Sequence, residues 1–286
     1  MAKKKTQRII QGKPLIPNAG IRALYAKELD KLTSQMDSTM RREILKIWKE
    51  AEESGKSIEA QERILLNKMN RYYTQLWKDR AKELAERMVG RQNRSVASSL
   101  RESLKSFGAI TVATNFNPVK TNTMSKTVLR NVRACINENV NYIKSIQSEY
   151  FTKIEGAVYR GIINGQGYGE IRDTLLSVGV DTKRRARNIA KDQAHKTYEA
   201  IGRARMEEAG LQYWQWEHGG GTKTVRPNHI RDVEQGGLNH SIHKIGEKAW
   251  DKEAWRKNGK FEGQDIYPGE LPFCSCRMRP VIKFDE

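Results

Sequence analysis

Apolar residues recur every three or four positions along the first two thirds of the chain. Ile21, Leu24, Tyr25, Leu29, Leu32, Met36, Met40, Ile44, Ile47 and Trp48 form one stripe on a helix of 3.6 residues per turn. Gly55 followed by Ser57 reads as a break and an N-cap. A second helix carries Ile58, Ile64, Leu65, Met69, Tyr72, Tyr73, Leu76, Trp77, Leu84 and Met88, and Gly90 interrupts it. A third, shorter helix runs on to Gly108. Two long helices joined by a short turn predict an antiparallel hairpin. Residues 109–123 read as a connector with a brief β-like run, and the helical period resumes over 125–162 with Cys135 as a small core residue.

Residues 164–180 read as a glycine-rich turn and a short helix. Gly165, Gly167 and Gly169 follow a helix rather than a strand, and no Gly-Lys-Ser/Thr triplet comes after them, so a sharp turn outweighs a phosphate loop. Residues 181–210 then predict a separate helix, capped by Asp181 or Thr182 and ended by Gly210. Its stripe of Ala186, Ile189, Ala190, Thr197, Ile201 and Ala204 suits close packing. At Leu211 the period changes. Leu211 and Tyr213 alternate with Trp214 and Trp216, which predicts a strand, a glycine turn over Gly219–Gly221 and a second short strand to Val225. Residues 276–285 predict a last strand. The fold class expected is α+β: a basic flexible arm over 1–20, a helical region over 21–180 and a small α+β module over 181–286. Pro14 and Pro17 keep the arm out of a helix, and it is expected to be mobile until it meets a partner.

Charge sharpens this division. Of the formal net charge of +18, residues 211–286 hold 12 Lys+Arg against 11 Asp+Glu, or +1, which leaves +17 on the first 210 residues. Such a polycation attracts phosphate backbones without regard to sequence, so duplex DNA is an expected partner. Lys183, Arg184, Arg185 and Arg187 crowd the first turns of the helix predicted at 181–210 and are its candidate DNA contacts. Positive charge there opposes the helix dipole unless an anion binds or the side chains reach water. No apolar run approaches the ~20 residues of a membrane span, so no membrane partner is expected. The N-terminus lacks the apolar stretch of a secretion signal, and three cysteines in 286 residues suit a reducing compartment rather than a disulfide scaffold.

Candidate chemistry gathers near the C-terminus. His218, His229, His240 and His243 are four of the five histidines, and Cys274 and Cys276 are one residue apart. Thiolate and imidazole are zinc ligands, and ligands distant in sequence can converge in a small domain. His229, Cys274 and Cys276 are the first choices, with His240 or His243 as the fourth; four protein ligands would make the ion structural. The alternative without metal is two thiols alternating at a strand start. A metal-dependent nuclease is the competing class, since histidines with Asp232 and Glu234 in a basic protein suit DNA cleavage. The residues after His229, however, are glycine-rich and show no clean metal-binding helix.

The helix ending in "RARMEEAGLQYWQW", then "VRPNHI", then "YPGELPFCSCRMRPVI" resembles the C-terminal domain of the phage Mu F-like head morphogenesis family, the minor head or minor capsid proteins. Arg226 and His229 match its basic-residue/histidine element. Pro272, Cys274, Cys276 and Arg277 match its final element. An acidic residue that often precedes the first element is replaced here by "GGGTKT", and Ser275 stands where arginine is common between the cysteines. The resemblance covers roughly 184–283. It implies a structural protein of a tailed phage rather than an enzyme. It would join the procapsid near the portal, with portal, capsid or scaffold proteins as partners, and aid head assembly and DNA packaging or ejection. The implied location is the virion, in the capsid interior or portal vicinity, after assembly in the host cytoplasm. Arg226, His229 and the cysteine pair are expected to stabilise the C-terminal module.

Overall fold

A computed structural model describes residues 8–55, 57–108, 123–220 and 226–284. The expected β-like run at 109–122, the second strand to Val225 and the lysines at 3–5 lie outside these residues. Among the described elements, a short strand β1 (Arg8–Gln11) is followed by four long helices: α1 (Ala19–Ser54), α2 (Glu59–Lys105), α3 (Lys126–Ile163) and α4 (Tyr168–Glu208). Strands and one short helix follow, so the fold is α+β. Among the described residues, no helix is long and apolar enough to cross a membrane. The chain forms two compact units, each discontinuous in sequence: Met1–Ile21 with Val89–Cys135 and Asp192–Glu286, and Arg22–Met88 with Ile136–Lys191.

The second of these units is helical. Most of the α1 stripe behaves as its period predicts: Tyr25, Leu29, Met36, Met40, Ile44 and Trp48 are all at most 1% exposed, while Leu24 is 38% exposed. On α2 the buried row instead runs Glu62, Leu66, Tyr73, Trp77, Ala81, Leu84 and Met88, while Ile64 and Tyr72 face solvent. The apolar residues at the start of α2 fall on both sides of the helix. The row continuous with Trp77 decides which side is inside, and it passes through a glutamate. Tyr150 Oη on α3 donates to Asp37 Oδ1 on α1 at 3.3 Å, and Trp48 Nε1 donates to the Gln166 carbonyl at 2.8 Å.

Glycines expected to break helices do not all do so. Helix α2 runs through Gly90, and α4 runs unbroken through Gly179, Asp181 and Thr182. The expected cap at Asp181 or Thr182 is therefore helix interior, where Thr182 Oγ1 bonds back to the Val178 carbonyl at 2.8 Å. Gly179 is a packing contact rather than a stop: a Cβ there would sit 2.4 Å from Asp37 Oδ1. True ends do use glycine. Gly55, Gly108, Gly165 and Gly210 follow the four helices with positive φ.

The other unit is built on an antiparallel sheet in the order β1-β6-β2-β3, with β1 at Arg8–Gln11, β2 at Tyr213–Glu217, β3 at Ile242–Lys244 and β6 at Arg277–Phe284. Strand β2 lies between β6 and β3, pairing Trp214 with Pro280 and with His243. Trp214 and Trp216 are both fully buried. The expected arm is docked over its described part. Arg8–Gln11 pair with β6 from Arg8↔Phe284 to Gln11↔Val281, the Leu15 amide donates to the Met278 carbonyl, and Leu15 is 0% exposed. Strand pairing to β6 and the buried Leu15 hold the segment down despite its prolines. The charged stretch at 243–265 forms a hairpin of β4 (Ala249–Lys257) and β5 (Lys260–Ile266), turned by Asn258 and Gly259, both at positive φ.

Candidate metal centre

Three segments of the sheet-containing unit converge on His229. The first is a single helical turn, α5 (Pro227–Ile230), which Pro227 starts at N1 with no amide to satisfy. It buries Asn228 and His229, each 2% exposed. The second is β4, which supplies Asp251 at 0% exposure. The third is the turn before β6, carrying Cys274 and Cys276 at 6% and 2%.

Asp251 accepts from His229 Nε2 at 2.8 Å, from Asn228 Nδ2 at 2.7 Å and from the Glu253 amide at 3.0 Å. With Nε2–H committed to the carboxylate, Nδ1 presents its lone pair to the cysteines. Cys274 Sγ and Cys276 Sγ each lie 3.5 Å from it. The ligating atoms of His229, Cys274 and Cys276 all lie within 4.8 Å of one another.

Electrostatics separate the two thiols. The hydrogen bond from Cys276 draws the Cys274 pKa well below the usual thiol value, against burial and with help from His229. The same shared proton, with burial, pushes Cys276 well above it. Burial pulls His229 down, but its bonds to Asp251 and Cys274 outweigh this and raise it. Burial pushes Asp251 up, and the bonds from His229, the Glu253 amide and Asn228 bring it below the normal carboxylate value. The cluster thus pairs two thiols of opposite acidity with an oriented imidazole, all with little access for water.

The cysteine turn is braced from α4. Asp192 Oδ1 accepts the Phe273 amide at 2.7 Å, His195 Nε2 donates to the Cys276 carbonyl at 2.9 Å, and Glu199 Oε2 accepts the Met278 amide at 3.2 Å. Residues 192, 195 and 199 share one helical face. On the other side Arg226 Nη2 donates to the Pro272 carbonyl at 3.2 Å, and Arg277 Nη2 to the Gly219 carbonyl at 3.0 Å. Arg226 and Pro272 thus tie the two elements of the sequence motif together through a backbone oxygen, and Arg277 ties the last element to the turn after β2.

The remaining histidines divide. His218 Nδ1 is 3.7 Å from Cys276 Sγ. His243, expected as a ligand, instead stacks on Trp214 at 4.7 Å between ring centroids, with Nε2 2.8 Å from Ser241 Oγ. Its position on β3 opposite Trp214 fixes that placement. His240 pairs with Asp232 at 2.7 Å on the surface. Nothing in the sequence singles out Asp251 or Asn228; the signal that could have found the hairpin that delivers Asp251 is the Asn258-Gly259 pair. Placing His229 so deeply suits a structural histidine better than a general base.

Lys183, Arg184, Arg185 and Arg187 belong to the helical unit, in the interior of α4, so they do not oppose a helix N-terminus. Arg184 pairs with Asp181 at 2.8 Å, Arg185 with Glu149 at 2.9 Å and Arg187 with Asp30 at 3.4 Å. These exposed and half-exposed pairs give three of the four cations an acidic partner.

A family described as phage Mu protein F like protein matches residues 152–279, a span that contains His229, Cys274, Cys276, Asp251, Arg226, Pro272 and Arg277. An uncharacterized protein of Haemophilus influenzae strain Rd is 33% identical over 92 residues, which are 32% of this chain and 21% of that protein. The matched segment thus spans about a fifth of the length of that relative. No solved structure matches the chain.

Proposed function

Because residues 152–279 match the phage Mu protein F like family, we propose that the chain is a phage minor head protein. In this reading it joins the procapsid near the portal and aids head assembly and DNA packaging or ejection. The observation that carries the reading is the family match, which encloses the whole His–Cys–Cys centre and the carbonyl-bound arginines around it. In this chain the matched segment carries a set of buried bracing groups, which suits an assembly protein. Partners in this reading are the portal and other capsid or scaffold proteins. The excess charge of the first 210 residues supports sequence-independent contact with duplex DNA. Arg184 and Arg187 are the candidate contacts most open to solvent, at 71% and 63% side-chain exposure.

Incorporation tests the proposal. Procapsids and virions from a phage encoding this chain are purified and probed for it, and the tagged chain is used to capture the portal protein of the same genome. Presence in particles together with portal capture is the expected result. A chain missing from both particle types would refute the assignment. The same preparation, mixed with linear duplex DNA across a salt series with Mg²⁺, Mn²⁺ or chelator, is expected to bind without cutting. Metal-dependent cleavage abolished by His229→Ala would replace the proposal with a nuclease.

A further inference from the structure

We propose that His229 Nδ1, Cys274 Sγ, Cys276 Sγ and His218 Nδ1 bind one zinc ion as a structural site. Such a site would stand whether or not the chain is a head protein. In a tetrahedral zinc site, with Zn–S about 2.3 Å and Zn–N about 2.0–2.1 Å, a sulfur and a nitrogen ligand lie about 3.5–3.6 Å apart. His229 Nδ1 is 3.5 Å from each sulfur, and His218 Nδ1 is 3.7 Å from Cys276 Sγ. Three sulfur–nitrogen edges of the tetrahedron therefore have nearly the right length.

The second argument is orientation. Zinc-ligating histidines commonly donate their other ring N–H to a carboxylate, which fixes the tautomer and raises ligand basicity. His229 does this with Asp251, and Asn228 and the Glu253 amide hold that carboxylate in turn. The third is the choice of fourth ligand. His229, Cys274 and Cys276 form the mutually close set, and His218 approaches it from the Cys276 side. Its ring is half-buried beside the Cys276 sulfur. His243 is held by Ser241 and Trp214. Four protein ligands and buried thiols leave no open position for water, so the ion would brace the module. Both cysteines ligate as thiolates, so thiol protons leave to solvent on binding.

The test uses the full-length chain, purified without chelator and assayed for metal by mass spectrometry. Chelator-treated chain is then titrated with Co²⁺ and with Zn²⁺. One zinc per chain is expected, with the visible bands of tetrahedral cobalt and a thiolate-to-cobalt absorption. Cys274→Ser and Cys276→Ser abolish both. His218→Ala weakens zinc binding at least about tenfold and His243→Ala leaves it unchanged. Asp251→Asn, a positioning change, weakens it roughly 10–100-fold while keeping the cobalt spectrum tetrahedral. Should variants fail to fold, the cobalt spectrum and metal content of the unaltered chain still decide the matter. Metal-free protein with no cobalt bands, or a Cys274–Cys276 disulfide, overturns the site. Zinc binding lost in His243→Ala but kept in His218→Ala overturns the fourth ligand.

Discussion

Gly219→Ala should be far more damaging than Gly220→Ala, although the two glycines are neighbours in one turn. A Cβ on Gly219 would lie 1.8 Å from the Ser275 carbonyl oxygen and 2.6 Å from its carbon, both backbone atoms. Reaching even 3.0 Å needs a withdrawal of roughly 1.2 Å. Ser275 sits between the two cysteines, its Oγ donates to the Gly220 carbonyl at 2.9 Å, and Arg277 donates to the Gly219 carbonyl at 3.0 Å. The withdrawal would stretch both bonds, worth about 1 kcal/mol for the hydroxyl and about 1.5–3 kcal/mol for the guanidinium. Added strain from overpacking brings the expected loss to about 3–5 kcal/mol. Gly220 has φ +65 and open space around its Cβ position, so alanine there meets only the left-handed penalty, about 1–2 kcal/mol. The assay is urea unfolding of both full-length variants, followed by near-ultraviolet circular dichroism of the buried tryptophans. Equal losses at the two positions would refute the close approach as the reason for glycine at 219.

Three further outcomes are expected. Glu62 is 1% exposed, no partner for either carboxylate oxygen is found among the described residues, and burial raises its pKa to about 8. A carboxyl whose folded pKa lies above its unfolded value loses stability as pH rises from the unfolded value to the folded one, here between about 4.5 and 8. Glu62→Gln should therefore stabilise the chain by on the order of 3 kcal/mol at pH 7 and very little at pH 4, and a pH-independent effect on urea midpoints would contradict this. Arg205 is 0% exposed and binds Asn93 Oδ1 at 2.9 Å, the Thr123 carbonyl at 3.0 Å and Glu208 at 2.6 Å. Arg205→Met should cost about 3–5 kcal/mol, because Glu208 loses its buried counter-charge; a loss under about 1 kcal/mol in the same assay would show the network to be dispensable. Arg184→Ala with Arg187→Ala should reduce the log–log salt slope of duplex DNA binding by about 2, roughly 0.9 per phosphate contact, and an unchanged slope would remove these side chains from the DNA interface.

Helix existence was legible because a 3.6-residue period needs only local information. The stripes from Tyr25 to Trp48 and from Ala186 to Ala204 are buried as their spacing predicts. Strands β2 and β6 were legible from alternation and from the change of texture at Leu211. Helix interruptions were not. Gly179 looks like a stop because glycine weakens a helix locally, yet here it makes room for Asp37, a residue far away in sequence. The start of α2 failed for a related reason: two apolar faces competed, and the partners packed against the helix chose the one containing Glu62.

In the candidate centre, residue chemistry alone selected His229, Cys274 and Cys276, since few side chains ligate soft metals and these clustered near one end. Which histidine joins them depends on strand register. Pairing of Trp214 with His243 turns that imidazole onto an indole, while the end of β2 carries His218 to Cys276. Asp251 is one of many carboxylates in the sequence; a hairpin delivers it to His229. The docking of Arg8–Gln11 against β6 likewise rests on a partner strand more than 260 residues away. What the amino-acid sequence by itself determined was local: periodicities, turn chemistry, the charge asymmetry and the kinds of atoms available. What only the tertiary structure decided was which of those atoms meet, because convergence depends on register and packing between segments distant along the chain.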